Sequence, residues 1–140
     1  MSAFAGLAAG DAVFTASFPV ARADLAAYAE ASGDRNPIHL DEAAAEAAGL
    51  PDVIAHGMYT MGLVSRAVLE WAAEAGLDAS LSEFSSRFAK PVVVPAAGGA
   101  VVDIEAKVRK VDADALELAI TVVSGGEKVL APARATLTAN

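Results

Sequence analysis

The chain has 140 residues, 55% of them hydrophobic, with no cysteine and a formal net charge of −8. This size and apolar content suit one folded domain, which we expect to span residues 1–140, and they exclude intrinsic disorder. Without cysteine there is no disulfide or thiol nucleophile, and the acidic balance excludes nucleic acid as the main partner because such binding needs clustered cations.

The first ten residues, MSAFAGLAAG, lack the basic segment of a secretory signal, so we expect a cytoplasmic protein. Residues 11–20 are predicted to form a strand. Residues 22–31 are predicted to form a short helix with Leu25, Tyr28 and Ala29 on one side. The chain therefore opens with a strand followed directly by a helix.

A second short helix is predicted at residues 42–48, after an irregular loop. Asp41 is placed to cap its N terminus, and Gly49 and Pro51 are placed to end it. The loop before it, SGDRNPIH at residues 32–39, separates the two helices and carries several polar side chains.

The longest predicted helix covers residues 57–75 and ends at Gly76. Its only charges are spaced four residues apart in one narrow seam: Arg66, Glu70 and Glu74. Nearly every other face is apolar, so we expect other structure to cover it, with Met58 and Met61 in the core. The longest uncharged stretch, residues 53–65, is shorter than the about 20 apolar residues of a spanning helix, so no membrane span is expected.

Alternating apolar and polar residues predict antiparallel strands in the second half of the chain. Three runs follow this pattern, joined by a DAD turn and an SGGE turn: residues 102–109, 116–122 and 129–138. Phe84 and Phe88 mark another strand before the break at Pro91. With residues 11–20 these make about five strands, and we predict an α+β fold in which an antiparallel sheet wraps around the long helix.

Asp34 and His39 bracket a rigid part of the loop, because Pro37 fixes its own backbone angle and favours extended geometry at Asn36. An aspartate and a histidine on one cleft wall are a competent acid-base pair, since imidazole titrates near neutral pH. The spacing alone favours a structural interpretation, with an Asx-type turn at Asp34 and a hydrogen-bonded loop histidine at position 39.

His56, Gly57 and Met58 form the second candidate site, because Gly57 would present a backbone N–H at the positive end of the long helix. The alternative is a helix start where glycine allows close packing. A metal site built from His39, Asp41 and His56 is disfavoured, because no third imidazole or H-x-x-x-H pair is present. No G-x-G-x-x-G or Walker motif occurs, so no cofactor is expected.

The sequence YAEASGDRNPIHLDEAAAEAAGL, followed by IAHGM, resembles the MaoC-like dehydratase and (R)-specific enoyl-CoA hydratase family of hotdog-fold proteins. The family signature has a D-x-N-P-x-H core, then A-x-x-x-G and H-G-M. A weaker resemblance covers the rest of the chain, including an F-x-x-P segment at residues 88–91. The loop at residues 93–100 departs from the family pattern V-x-x-G-D. Within the family, the pattern is most similar to the catalytic B subunit of the two-subunit type II fatty-acid-synthase dehydratase.

The resemblance implies a single hotdog domain and a role for each matching residue. Asp34 and His39 would be the catalytic acid-base pair that holds one water, and the N–H of Gly57 would bind the thioester carbonyl. Asn36 would brace the loop and Ser65 would support the site. The residues expected to contact substrate are Tyr28, His56 and Met58.

The implied activity is reversible hydration of a trans-2-enoyl thioester to a (3R)-hydroxyacyl thioester, carried on coenzyme A or on acyl carrier protein. The implied assembly is a homodimer, or a heterodimer with a second hotdog subunit, without metal or cofactor. Two alternatives are a non-catalytic acyl-binding partner subunit and a hotdog thioesterase. The intact Asp34 and His39 argue against the first, and the match to the hydratase signature argues against the second.

Overall fold

The computed structural model of the chain describes residues 2–140. Its elements are β1 Ala12–Val20, α1 Arg22–Ser32, a 3₁₀ turn Pro37–His39, α2 Glu42–Ala47, α3 Gly57–Glu74, β2 Ala79–Phe88, β3 Ala100–Val111, β4 Ala115–Ser124 and β5 Glu127–Ala139. The strands form one antiparallel sheet in the order β1-β3-β4-β5-β2, and α3 packs across one face of it. This confirms the predicted α+β arrangement of a sheet around a long helix.

The sheet buries one face because its strands alternate as the sequence predicts. In β3, the buried residues Val102, Ile104, Ala106 and Val108 face α3, and the residues between them are exposed. The same alternation continues in β4, which pairs with β3, and in β5, which pairs with β4. Each fully buried valine, leucine or isoleucine contributes on the order of 1.5–3 kcal/mol, so this shared core stabilises the fold.

Helix α3 is less completely covered than its sequence predicts. The residues that it buries share one side: Thr60, Leu63, Val64, Ala67, Val68 and Ala72. The exposed side includes Leu69 as well as the three charges, and Met58 is 60% exposed. The prediction that Met58 lies in the core is therefore wrong, whereas Met61 does pack against the core. Helical periodicity shows where apolar residues are, but it does not show which of them the chain itself covers.

Two tight turns set the register of the last three strands. Gly125 and Gly126 have φ of +59° and +77°, the left-handed angles of the two-residue turns that join antiparallel strands. Between β3 and β4, the Asp112 carboxylate accepts hydrogen bonds from the N–H groups of Asp114 and Ala115. These two bonds lower the pKa of Asp112, because they stabilise its charged form.

A short second pairing outside the sheet fixes the segment that leads into α3. Ile54 and Val93 form an antiparallel bridge. The Ala55 N–H donates to the Val92 carbonyl at 2.9 Å, and the Val94 N–H donates to the Val53 carbonyl at 2.8 Å. The polypeptide before α3 is thus tied to the loop between β2 and β3, and this tie positions the site described below.

Residues near the N terminus add to the core, which the sequence analysis did not anticipate. Phe4 is buried against the core formed by α3 and the sheet. The hydrophobic residues of this segment therefore serve packing in the folded chain. Within residues 2–140, no helix combines the length and the apolar character that crossing a bilayer requires.

Candidate active site

Two Asx turns shape the loop that carries Asp34 and His39. The Asp34 carboxylate accepts the Asn36 N–H at 3.1 Å, and the Asn36 side-chain oxygen accepts the Ile38 N–H at 3.3 Å. The Asx-type turn predicted at Asp34 is confirmed. The prediction of an irregular loop over residues 32–39 missed the 3₁₀ turn Pro37–His39, which Asn36 caps. Proline at the first position favours that turn because its backbone angle already matches.

His39 is held in one orientation by a backbone carbonyl. Its side chain is buried, with 8% of the residue exposed, and Nδ1 lies 2.7 Å from the Ile54 carbonyl oxygen. A carbonyl oxygen only accepts, so Nδ1 carries the proton and Nε2 has a free lone pair when the ring is neutral. The Ile54 N–H in turn donates to the Ile38 carbonyl at 3.2 Å. One peptide segment, itself paired with Val93, therefore fixes both the turn and the imidazole.

His56 lies directly behind His39. The two rings stack with centroids 3.9 Å apart and planes 25° from parallel. His56 is 1% exposed, and its Nε2 donates to the backbone carbonyl of Asp34 at 3.0 Å. Its Nδ1 is buried without a hydrogen-bond partner among the residues described. The residue before the α3 N terminus is thus tied to the loop through Asp34.

Two tyrosines extend this stack away from the loop. The Tyr28 ring lies 4.7 Å from the His56 ring and 5.5 Å from the Tyr59 ring, measured between centroids. Burial, and secondarily the negative charge of Asp24, raise the pKa of Tyr59, so its hydroxyl stays neutral at physiological pH. This aromatic column supports His56 from the side opposite to His39.

Asp34, His39 and His56 form a cluster in which one side-chain oxygen or nitrogen from each residue lies within 4.8 Å of the others. Two groups at that separation can both hydrogen-bond to one water, since two such bonds span at most about 5.6 Å. His39 Nδ1 and His56 Nε2 each face a backbone carbonyl oxygen, so each ring has one nitrogen left for another contact. Asp41, the carboxylate considered from the sequence, caps α2 instead.

A cavity of about 340 Å³ opens beside His39. Its wall is mostly apolar and is built from these residues: His39, Ile54, Ala55, Gly57, Thr60, Phe88, Ala89, Lys90, Pro91, Val92, Val129 and Leu130. Gly57 is the first residue of α3, so its N–H has no partner within the helix and belongs to the positive end of the helix dipole. The cavity thus has an imidazole and a helix N terminus on the same wall.

Gly57 also allows close packing. A Cβ at this position would lie 2.7 Å from an edge carbon of the Phe88 ring, which is closer than van der Waals contact permits. Phe88 itself is 59% exposed, so its ring covers the start of α3 while facing solvent on its other side. Both sequence interpretations of Gly57, the oxyanion donor and the tightly packed helix start, are compatible with this position.

Several residues named from the resemblance lie away from the cavity wall. Met58 points to solvent, and Tyr28 contacts His56 rather than the cavity. The Ser65 hydroxyl donates to the Met61 carbonyl of its own helix at 3.2 Å. Asp34 is exposed at the edge of the cluster, and His56 is buried behind His39. Of the eight named residues, the cavity wall contains His39 and Gly57.

Most of the cavity wall was not identified as part of a site from the sequence, and two of the missed residues, Thr60 and Ile54, bear directly on the site. Thr60 is buried and lines the cavity one turn after Gly57, and helical spacing from Gly57 could have indicated it. Ile54 acts through its backbone carbonyl, and a peptide group leaves no pattern in the sequence. Its role depends on the bridge to Val93, which joins segments far apart in the chain.

An antiparallel sheet wrapped around one long helix is the arrangement of the hotdog class of α+β proteins, and in this chain an imidazole and the helix N terminus lie beside an apolar cavity. A comparison with family models matches residues 5–124 to the MaoC-like domain. The chain belongs to this family, as the D-x-N-P-x-H and H-G-M motifs predict. The match includes all three residues of the Asp34, His39 and His56 cluster.

Individual relatives agree with this assignment. A stretch of 75 residues is 45% identical to 3-hydroxyacyl-thioester dehydratase X of Mycobacterium tuberculosis, covering 51% of this chain and 24% of that protein. A solved structure of a MaoC-like dehydratase is 34% identical, with a TM-score of 0.90, over 98% of this chain and 42% of that one. The (R)-hydratase from A. caviae involved in PHA biosynthesis is 26% identical, with a TM-score of 0.81, over 97% and 99%. The chain thus spans about a quarter of the first relative and nearly all of the last.

Proposed function

We propose that the protein catalyses reversible hydration of a trans-2-enoyl thioester to a (3R)-hydroxyacyl thioester. The observation that carries this proposal is the placement of the Asp34 carboxylate and a His39 ring nitrogen within 4.8 Å of each other, beside a cavity that begins at Gly57. The names of the relatives, a 3-hydroxyacyl-thioester dehydratase and an (R)-hydratase, support the same reaction class. Residues 1–140 are proposed to act as one hotdog unit.

In this mechanism the thioester carbonyl accepts a hydrogen bond from the Gly57 N–H, so the negative charge that develops on its oxygen is stabilised at the helix N terminus. Water bound between Asp34 and His39 attacks C3 of the conjugated double bond. The electron pair of that bond moves onto the enolate, and the acid-base pair takes a proton from the water and delivers one to C2. Dehydration uses the same groups in reverse.

The acyl chain is proposed to enter the apolar cavity. Its walls beyond His39 and Gly57 carry aliphatic side chains such as Ile54, Val92 and Leu130, which suit a hydrocarbon chain and offer it few polar contacts. Thr60 and Lys90 are the other residues of that wall with polar side chains. The carrier, coenzyme A or acyl carrier protein, would remain outside the cavity at the end where Lys90 is exposed.

We further propose that the active form is a dimer with a second hotdog subunit, identical or related. Three of the large hydrophobic side chains that remain exposed neighbour the site: Leu40 follows His39, Met58 follows Gly57, and Phe88 lines the cavity. Strand β2 is an edge of the sheet, so one side of its backbone is unpaired within the chain. A partner subunit that pairs with this edge would cover these three apolar side chains.

The test is a set of trans-2-enoyl thioesters of increasing chain length, on coenzyme A and on acyl carrier protein, followed by loss of absorbance of the conjugated thioester. Hydration in the presence of EDTA, with a (3R) product on chiral analysis, is expected. Release of free thiol without loss of the double bond would show a thioesterase instead. Binding without turnover, even after a partner hotdog subunit is added, would show an acyl-binding subunit.

A further inference from the structure

His56 is a buried titratable residue that the proposed mechanism does not use. It is 1% exposed and does not line the cavity, so it does not reach a substrate there. Its polar contact is the hydrogen bond from Nε2 to the Asp34 carbonyl oxygen, 3.0 Å long. Its ring faces contact His39 and Tyr28. His56 therefore contacts both members of the acid-base pair, the backbone of one and the ring of the other.

The tautomer of His56 follows from this hydrogen bond. Because a carbonyl oxygen only accepts, the proton is on Nε2, and Nδ1 is left as a bare acceptor. That Nδ1 is buried without a partner among residues 2–140. A phenylalanine in the same place would keep the ring contacts without burying an unpaired ring nitrogen, so packing alone does not account for an imidazole here. What the imidazole adds is the N–H directed at Asp34.

This hydrogen bond joins His56, the residue directly before α3, to the loop at Asp34. The Asp34 side chain is exposed, and it is restrained through its own Asx turn with Asn36. His39, in contrast, is restrained by Ile54. Without His56, Asp34 would be linked to His39 through the successive turns of the loop, and the distance between their side chains would depend on the flexibility of those turns.

We propose that His56 is a positioning residue that fixes the spacing between the Asp34 carboxylate and the His39 imidazole. Its Nε2–H holds the Asp34 backbone, and its ring gives His39 a flat surface at 3.9 Å. This inference rests on the proposed function, since it concerns the same acid-base pair. A displacement of about 1 Å in a reacting group can lower a rate by about 10²-fold, so a second-layer contact of this kind has a measurable effect.

Two variants separate the hydrogen bond from the packing. His56→Gln keeps an N–H donor at similar reach but loses the ring, whereas His56→Phe keeps the ring between Tyr28 and His39 but has no donor. We expect kcat to fall about 10²-fold in His56→Phe with KM within about threefold, and by less than about tenfold in His56→Gln. Both should retain the circular dichroism spectrum of the unmodified protein. Full activity in His56→Phe, or a greater loss in His56→Gln than in His56→Phe, would overturn the proposal.

A measurement on the unmodified protein covers the case in which a variant does not fold. Nitrogen-15 NMR of labelled histidine should show His56 as the Nε2–H tautomer, with its N–H protected from exchange. The Nδ1–H tautomer, or rapid exchange, would overturn the proposal without any variant. Inactivity of the unmodified protein on every thioester would instead count against the proposed function, and the NMR result would still decide whether His56 holds Asp34.

Discussion

Asp34 and His39 are restrained by different kinds of contact, and this difference determines which substitutions can test them. The Asp34 carboxylate accepts a hydrogen bond within its own turn, and an asparagine amide oxygen can accept the same bond. His39 donates from Nδ1 to the Ile54 carbonyl, and the side-chain nitrogen of asparagine can occupy a similar position. In both cases a variant exists that keeps the structural bond and removes the acid-base group.

Asp34→Asn and His39→Asn are therefore each expected to lower kcat by at least about 10²-fold with little change in Tm. Steady-state kinetics on the best enoyl thioester and thermal unfolding of the same samples check this. His39→Ala is the matched control for the structural bond, because it leaves the buried Ile54 carbonyl unpaired and should destabilise the fold by about 1–3 kcal/mol. Near-normal turnover in either asparagine variant would return both residues to a purely structural role in the loop.

Gly57→Ala tests the start of α3. The added methyl group would collide with the edge of the Phe88 ring, which is exposed and free to swing outward, so we expect a folded protein with a displaced ring. Because that ring covers the site where the Gly57 N–H meets the cavity, kcat/KM should fall at least about tenfold. The double variant Gly57→Ala with Phe88→Ala relieves the collision and is the control. If the double variant stays as far below Phe88→Ala as Gly57→Ala is below the unmodified protein, the collision argument fails.

At the scale of elements, the predictable parts were those whose pattern is local. The alternation over residues 102–109 predicted β3, and the capping residues predicted the bounds of α3 to within one residue. The 3₁₀ turn Pro37–His39 was missed because three residues form no periodic pattern. The stacking of His56 on His39 was also missed, because it depends on the pairing of residues 53–55 with residues 92–94.

The same pairing is reinforced by Arg22 at the start of α1. Its guanidinium donates to the Val94 carbonyl and forms ion pairs with Asp52 at 2.8 Å and with Glu42 at 3.2 Å. The Arg22 and Asp52 side chains are only 24% and 28% exposed, so water screens their interaction less than it screens a surface pair. One side chain thus joins α1, α2 and both segments that position Ile54.

Arg22→Ala is accordingly expected to lower the free energy of unfolding by about 1–3 kcal/mol, because it leaves a backbone carbonyl and a partly buried carboxylate without their donor. Urea denaturation measures this. Arg35→Ala is the control, since Arg35 forms an exposed ion pair with Glu30 that is worth at most about 1 kcal/mol. Equal losses in the two variants would show that Arg22 acts as an ordinary surface charge.

At the scale of the whole molecule, the fold leaves apolar surface uncovered. The fold places α3 against the sheet, but it leaves Met58 and Leu69 of that helix exposed, together with Leu40 and Phe88 from other segments. An antiparallel sheet also ends in two edges, here β1 and β2. Edge strands that stay unpaired are templates for association, and β2 is the edge that leads into the cavity through Phe88.

We therefore expect a dimer of about 28 kDa, twice the 14.1 kDa of one chain, either with a second copy or with a related hotdog subunit.

A lysine introduced at one of these exposed apolar positions should disrupt the dimer, because burying an unpaired charge in an interface is unfavourable. Met58→Lys is suited to this test, since its side chain is 60% exposed and the change should leave the core unaltered. Sedimentation velocity should show a shift toward monomer in Met58→Lys, and a fall in hydratase activity should follow the loss of dimer. Ala113→Lys, in the exposed turn between β3 and β4, is the control and should change neither property. An unmodified protein that sediments as a fully active monomer at micromolar concentration would contradict this expectation, and the cavity beside His39 would then have to bind the whole acyl chain within one subunit.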